Sequence, residues 1–288
     1  MDLEVLGAAI ATTITYSLDF IFLIVYQYSQ PNLIKSQKWF FLDKEAFDAI
    51  PIFLKYGAPA SLMLVMEWWG YEFISIQVGW IGIEELAATV ILFQIFALMF
   101  MNSLGITFAA TSLVGNSLGE NRPNKARTYA HATILFGAIC TTVLVLGFVV
   151  LQETIINCFT TDAEVVYFFE SGVIFYSIAM WFDLMQGVHG GMIRAIGYQN
   201  IATIIQFASL WLWMLPLCYF FGFVIDLGYF GVWMGVPFGG FALMIGYMWI
   251  IFTAPWQTLS IEASKDDKII KDAEVMSNIH RSMLSHEL

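Results

Sequence analysis

Seven apolar stretches set the terms for this chain. They lie near residues 4–28, 53–80, 87–113, 128–151, 164–191, 200–223 and 228–254. Each is about as long as a helix must be to cross a hydrocarbon core roughly 30 Å thick, which takes about 20 residues at about 1.5 Å each. A backbone in lipid has to satisfy its amides and carbonyls within the segment, so the prediction is an all-α, polytopic membrane protein of seven transmembrane helices. Composition agrees: 59% of the 288 residues are hydrophobic and 12% charged, against about a quarter charged in an ordinary soluble domain. Acids and no basic residue precede the first stretch, and it runs to full span length, which predicts a retained helix rather than a signal peptide.

A net charge of −11 with 12 Lys+Arg argues against nucleic acid as a partner, which demands a basic patch. The positive charges are unevenly placed. Lys35, Lys38, Lys44 and Lys55 group around the first connection, Arg122, Lys125 and Arg127 in the third, Arg194 between the fifth and sixth stretches, and Lys265, Lys268, Lys271 and Arg281 in the tail. If the spans alternate, all of them share one side. The positive-inside rule makes that side cytoplasmic and puts the N-terminus outside or in a lumen. Residues 29–52 read as a cytoplasmic connection, either an amphipathic surface segment or a solvated loop. Residues 257–288 read as a cytoplasmic tail with one short helix over 265–277. The plasma membrane and the vacuolar membrane are not distinguished by these features.

A charge at mid-bilayer costs about 2.5 kcal/mol or more, so ionisable residues deep in a span are candidates for function. Glu67 sits near the centre of the second stretch and Asp183 near the centre of the fifth. Both are candidate proton carriers and counter-charges. Glu72 follows Glu67 at a turn of about 140° around the helix axis, so the two carboxyls do not share a face. The alternative for each is a protonated or hydrogen-bonded core group that holds helices together. Trp68, Tyr71, Met185 and Gln206 are candidates for the wall of a cavity around these acids, through cation–π and thioether contacts or an amide. Pro59, Pro216 and Pro237 promise bent helices. Gly187, Gly190, Gly191, Gly235, Gly239 and Gly240 promise close helix packing. Neither the cysteines (Cys140, Cys158, Cys218) nor the histidines (His131, His189, His280, His286) show metal-ligand or disulfide spacing. No nucleophile, base and orienting group recur at a catalytic spacing, so neither an enzyme nor a cofactor is predicted.

Four motifs carry a family resemblance. Glu67-Trp68-Trp69-Gly70-Tyr71-Glu72 resembles the seventh helix of eukaryotic multidrug and toxic compound extrusion (MATE) transporters. Val114-Gly115-Asn116-Ser117-Leu118-Gly119 is similar to the end of the family's eighth helix, with Leu113 where Arg is usual. The run from Gly190 to Gln199 is similar to the motif after the tenth, with Ala195 and Ile196 replacing small residues. Gly231-Val232-Trp233-Met234-Gly235 resembles the opening of the twelfth. Over residues 5–256 the resemblance implies the last helix of an N-lobe (1–28), a connection (29–52), a six-helix C-lobe (53–256) and a tail (257–288).

It further implies an antiporter that exchanges an organic cation or other xenobiotic for protons across the bilayer. Proton coupling and substrate binding map onto Glu67, Glu72 and Asp183. An acid of the eighth helix corresponds to Gln94, which removes one titratable group. Such transport works by rocking one lobe against another, so the chain is either a fragment or a half that pairs with a second copy or a separate N-lobe. Two other readings stand beside it. One is a non-transporting or regulatory fragment. The other is a seven-span receptor, against which the last stretch holds no Lys and the chain lacks Asp-Arg-Tyr and Asn-Pro-x-x-Tyr.

Overall fold

The computed structural model describes residues 4–29 and 44–265, and every regular element among them is helical. The chain divides into two compact units, residues 1–53 and 54–288. The first contains α1 (Glu4–Ser29). Most of its described apolar side chains are exposed, Phe22 and Leu23 at 67% each, which suits a span surrounded by lipid tails. This unit also holds the opening turns of α2 (Lys44–Gly79), which begins at Lys44 instead of near 53. That start was hidden because Lys44, Glu45 and Asp48 give these turns the polarity of a loop, whereas helix propensity does not require an apolar side chain. Residues 30–43 of the expected connection lie outside the described residues. So does the helix expected over 265–277, apart from Lys265, where the described helix 256–265 ends.

The second unit comprises the rest of α2, then α3 (Ile83–Gly119), α4 (Pro123–Phe159) and α5 (Ala163–Ala195). A span over Gln199–Val224 follows, made of α6 (Gln199–Phe207), a π-helical turn (Ala208–Met214), α7 (Leu215–Tyr219) and a second π-helical turn (Phe220–Val224). It leads to α8 (Gly228–Thr253) and to α9 over 256–265. Six of the helices among the described residues are long and apolar enough to cross a membrane. With 36 residues α2 is long enough; Glu67, Glu72 and the aromatic run between them lower its hydropathy.

Two packing devices hold the bundle. Along one face of α3, Ser103, Thr107 and Thr111 recur every fourth residue. Their hydroxyls donate to the carbonyls of Leu184, Gly187 and Gly191 on α5, the last two at 2.6 and 2.9 Å. Gly191 makes that approach possible, since a Cβ there would stand 2.6 Å from the Thr107 carbonyl oxygen. On α8, Gly231, Gly235 and Gly239 recur every fourth residue against the 199–224 span. Cβ atoms there would come within 2.4 Å of the Phe221 carbonyl, 2.6 Å of the Cys218 nitrogen and 2.3 Å of the Met214 Cβ. Lipid supplies little drive for apolar burial, so helices in a bilayer associate through such small-residue contacts and interhelical hydrogen bonds.

The turns match their residues. Asp162 caps α5 by accepting from the Glu164 amide at 2.9 Å. The helix ends where Gly197, at φ 77°, lets the Tyr198 amide reach back to the Ile193 carbonyl at 3.1 Å, a left-handed C-terminal turn that glycine adopts without strain.

Candidate functional site in the helix bundle

Two carboxyls are enclosed in the second unit, Glu67 on α2 at 8% exposure and Asp183 on α5 at 3%. Counting by three and four from Asp183 along α5 reaches Gln186, Gly187, Gly190 and Arg194, one face of the helix. Glu67 looks onto that face. A cavity of about 60 Å³ lies between them, lined by Glu67, Thr107, Gln186, Arg194 and Gln206 with apolar neighbours. Glu67 is in interaction range of Gln186, Arg194 and Gln206; Asp183 is in range of Glu67 and of the Tyr71 hydroxyl.

Side chains of the 199–224 span fix α2 in this place. Thr203 Oγ1 donates to the Pro59 carbonyl at 3.2 Å, Gln206 Nε2 to Met63 at 2.9 Å and Trp211 Nε1 to Met66 at 3.1 Å. Gln206 is itself oriented by Tyr247 on α8, whose hydroxyl donates to Oε1 at 2.8 Å. Arg194 folds back along α5, with Nη1 3.5 Å from where a Cβ of Gly190 would lie. Glycine there leaves the guanidinium room beside the cavity.

The polar groups are not fully paired. Asp183 Oδ2 and Gln186 Nε2 are buried without a hydrogen-bond partner. Ion pairs join Glu120 to Arg122 at 3.2 Å and to Lys125 at 4.0 Å, away from both buried acids. Each water needs about 10–15 Å³ of such space, so the cavity takes several waters. It is well below the roughly 300 Å³ at which small-molecule sites begin. The cavity can hydrate the Glu67 carboxyl, with Asp183 in range of it, but it cannot enclose an organic cation. Larger hollows of about 500 and 400 Å³ lie in apolar grooves between α3 and α4 and between α4 and α5, and neither is lined by a carboxyl.

The sequence candidates separate accordingly. Glu67 and Gln206 line the cavity, Tyr71 meets Asp183, and Met185 is buried without lining it. Glu72, Trp68 and Gln94 are exposed on the outer faces of α2 and α3. Arg194, Gln186, Thr107 and Tyr247 were missed. The first two carry a usable signal, since they fall on the helical face that Asp183 defines.

A sequence model of the MatE family matches residues 59–220. The chain is 28% identical over 264 residues to multidrug and toxin extrusion protein 1 of Danio rerio, covering 91% of this chain and 44% of that protein. It is 28% identical over 236 residues to Protein DETOXIFICATION 12 of Arabidopsis thaliana, covering 81% and 49%. Its fold superposes on the eukaryotic MATE transporter AtDTX14 with a TM-score of 0.83 at 22% identity, over 91% of this chain and 58% of that one. An outward-facing multidrug resistance MATE family transporter gives 0.71 at 20%, over 90% and 57%. The chain thus spans about half the length of the curated relatives it matches. With more than half of its residues matched by the family model, and with the same helical fold, this chain belongs to the multidrug and toxic compound extrusion (MatE) family.

Proposed function

We propose that the chain forms the C-terminal lobe of a secondary transporter that expels organic cations or other xenobiotics in exchange for protons, with Glu67 and Asp183 as the groups that take up and release the proton. The supporting observation is the burial of two carboxyls within range of each other, Glu67 lining a small polar cavity and Asp183 enclosed beside it, with no ion pair to either among the described residues. A charge so placed is costly to keep, and a carboxyl that can be neutralised by a proton removes the cost. Several waters beside Glu67 give that proton a route. The cation is met elsewhere, on the exposed surface to which α2 contributes Trp68 and Glu72 and α3 contributes Gln94. Polar groups at membrane depth face water or protein, not lipid, so that surface fronts a water-filled space or an opposing lobe supplied by more of the chain, a second copy or a separate protein. Proton entry from the outer side discharges Glu67 and Asp183 and releases the cation; loss of the proton to the cytoplasm resets them. Arg194 tempers the negative charge from the cytoplasmic end.

The test is uptake of a fluorescent organic cation into proteoliposomes containing this chain, with and without a pH gradient. Gradient-driven flux that Glu67→Gln abolishes supports the reading, while equal flux in the variant sinks it. A folded wild type without flux favours the second reading, a subunit that transports only with a partner lobe, because the cavity by itself is too small for the cation.

A further inference from the structure

Three polar atoms converge at the opposite end of the bundle from Arg122, Lys125 and Arg194. They are Thr89 Oγ1 on α3 and, on α8, the Tyr229 hydroxyl and Trp233 Nε1. Their residues are 0%, 4% and 0% exposed, and none of the three atoms has a hydrogen-bond partner. Thr89 and Trp233 nevertheless lie within interaction range of Tyr229. Gly172 on α5 lets the Tyr229 ring lie against that helix, since a Cβ there would stand 3.1 Å from Tyr229 Cε1 and 3.4 Å from its hydroxyl. Buried polar atoms that converge without meeting are the usual setting of a trapped water, which asks for two to four such partners.

The cluster has neighbours on both sides. Toward the bundle end Tyr229 is in range of Glu85, in the first turn of α3. Toward the interior, Tyr176 packs edge-on to Trp233 with ring centroids 5.0 Å apart, and its hydroxyl reaches the Leu92 carbonyl, one turn beyond Thr89. Tyr176 is also in electrostatic range of both Tyr229 and Asp183. The ionisable groups facing Tyr229 are thus Glu85 from α3 and Tyr176 from α5, and α8 contributes none.

We propose that Thr89, Tyr229 and Trp233 hold a water, and that this water and Tyr176 form a proton route inside the lobe, from the Glu85 end to the Asp183 carboxyl. It rests on the reading of Asp183 and Glu67 as proton carriers. The water and the Tyr176 hydroxyl each accept a proton on oxygen while passing on their own, so only O–H bonds form and break and no charge is left behind; the Thr89 and Tyr229 hydroxyls hold the water in place. The indole Nε1 can only donate; it orients the water and carries nothing. Thr89, Tyr229 and Trp233 are therefore positioning residues for the proton.

The experiment follows the infrared carbonyl band of the protonated buried carboxyls after a jump into D2O, in liposomes containing the full chain. Asp183→Asn and Glu67→Gln assign the band. Thr89→Val and Tyr229→Phe are expected to slow its deuteration by about tenfold or more with circular dichroism and elution unchanged, and Thr89→Ser is expected to restore the wild-type rate. Wild-type rates in the folded variants overturn the route and leave the carriers standing. A wild type with no band that those two substitutions remove overturns the carriers, and the route with them. Thr89→Val is isosteric, so if Tyr229→Phe does not fold, Thr89→Val alone decides.

Discussion

The Tyr247 hydroxyl donates to Gln206 Oε1 at 2.8 Å, and Gln206 Nε2 donates to the Met63 carbonyl at 2.9 Å, so α8 reaches the turn of α2 that precedes Glu67 through a single amide. Tyr247 is fully buried, and its hydroxyl is the group that tells the amide which way to point. Tyr247→Phe is expected to lower thermal stability by about 0.5–1.5 kcal/mol, the net worth of one such bond. It should also weaken gradient-driven uptake while the protein stays folded. A melt and a flux assay on the same preparation check both, and unchanged flux would confine the pair to a structural role.

Close approach at Gly191 makes a second expectation. The Cβ of Gly191→Ala would lie 2.6 Å from the Thr107 carbonyl oxygen, and backbone cannot step aside as a flexible side chain does. Thermal unfolding should show a loss of about 1–3 kcal/mol, the cost of overpacking. Gly147→Ala on α4 is the control, because nothing lies within 4 Å of its Cβ. There the gain in helix propensity should leave stability unchanged or raise it by about 0.5–1 kcal/mol.

The hydroxyl ladder between α3 and α5 predicts near-additive losses. Thr107→Val and Thr111→Val each remove one interhelical bond, at 2.6 and 2.9 Å, and preserve shape. About 0.6 kcal/mol apiece is the expectation for such bonds inside a membrane. A double variant that costs much more than the sum would mean that the ladder acts as a unit.

Exposure separates the two acids of α2. Glu72→Gln, on the outer face, should leave proton coupling intact and alter which cations are carried. Glu67→Gln should remove the pH dependence of uptake and leave substrate preference alone. Competition assays with cations of different charge, run against a fixed gradient, discriminate these outcomes; a reversed pattern would exchange their roles.

Glu67 and Asp183 were legible in the sequence because a charge inside a long apolar run has few structural excuses. Their neighbours were harder. Arg194 was assigned to a connection, since a cation near the end of a span normally points to water, and nothing local says that Gly190 makes room for it to fold inward. Ser103, Thr107 and Thr111 gave no signal, because hydroxyls are common in membrane helices and bond to their own backbone as readily as to a neighbour. Helix geometry had already set Glu72 off the face of Glu67, and its exposure agrees; Trp68 was grouped with the inner residues for its nearness to Glu67 in sequence and Gln94 by the family resemblance, and neither ground says which side chain faces a partner helix. The start of α2 at Lys44 was missed because hydropathy reports the membrane, not the helix.

The two π-helical turns of the 199–224 span work as a phase correction. Each residue of an α-helix advances about 100° around the axis, and a π turn takes up extra residues without passing that rotation on. Gln206, before Ala208–Met214, faces α2 and Tyr247; Cys218, after it, faces Gly235 of α8. If the same sequence were wound as plain α-helix, one of those contacts would swing out of register. The span therefore behaves like a rod cut slightly too long and fitted by a loop of slack, and it is the place where this fold can lose a residue without turning either of its working faces away.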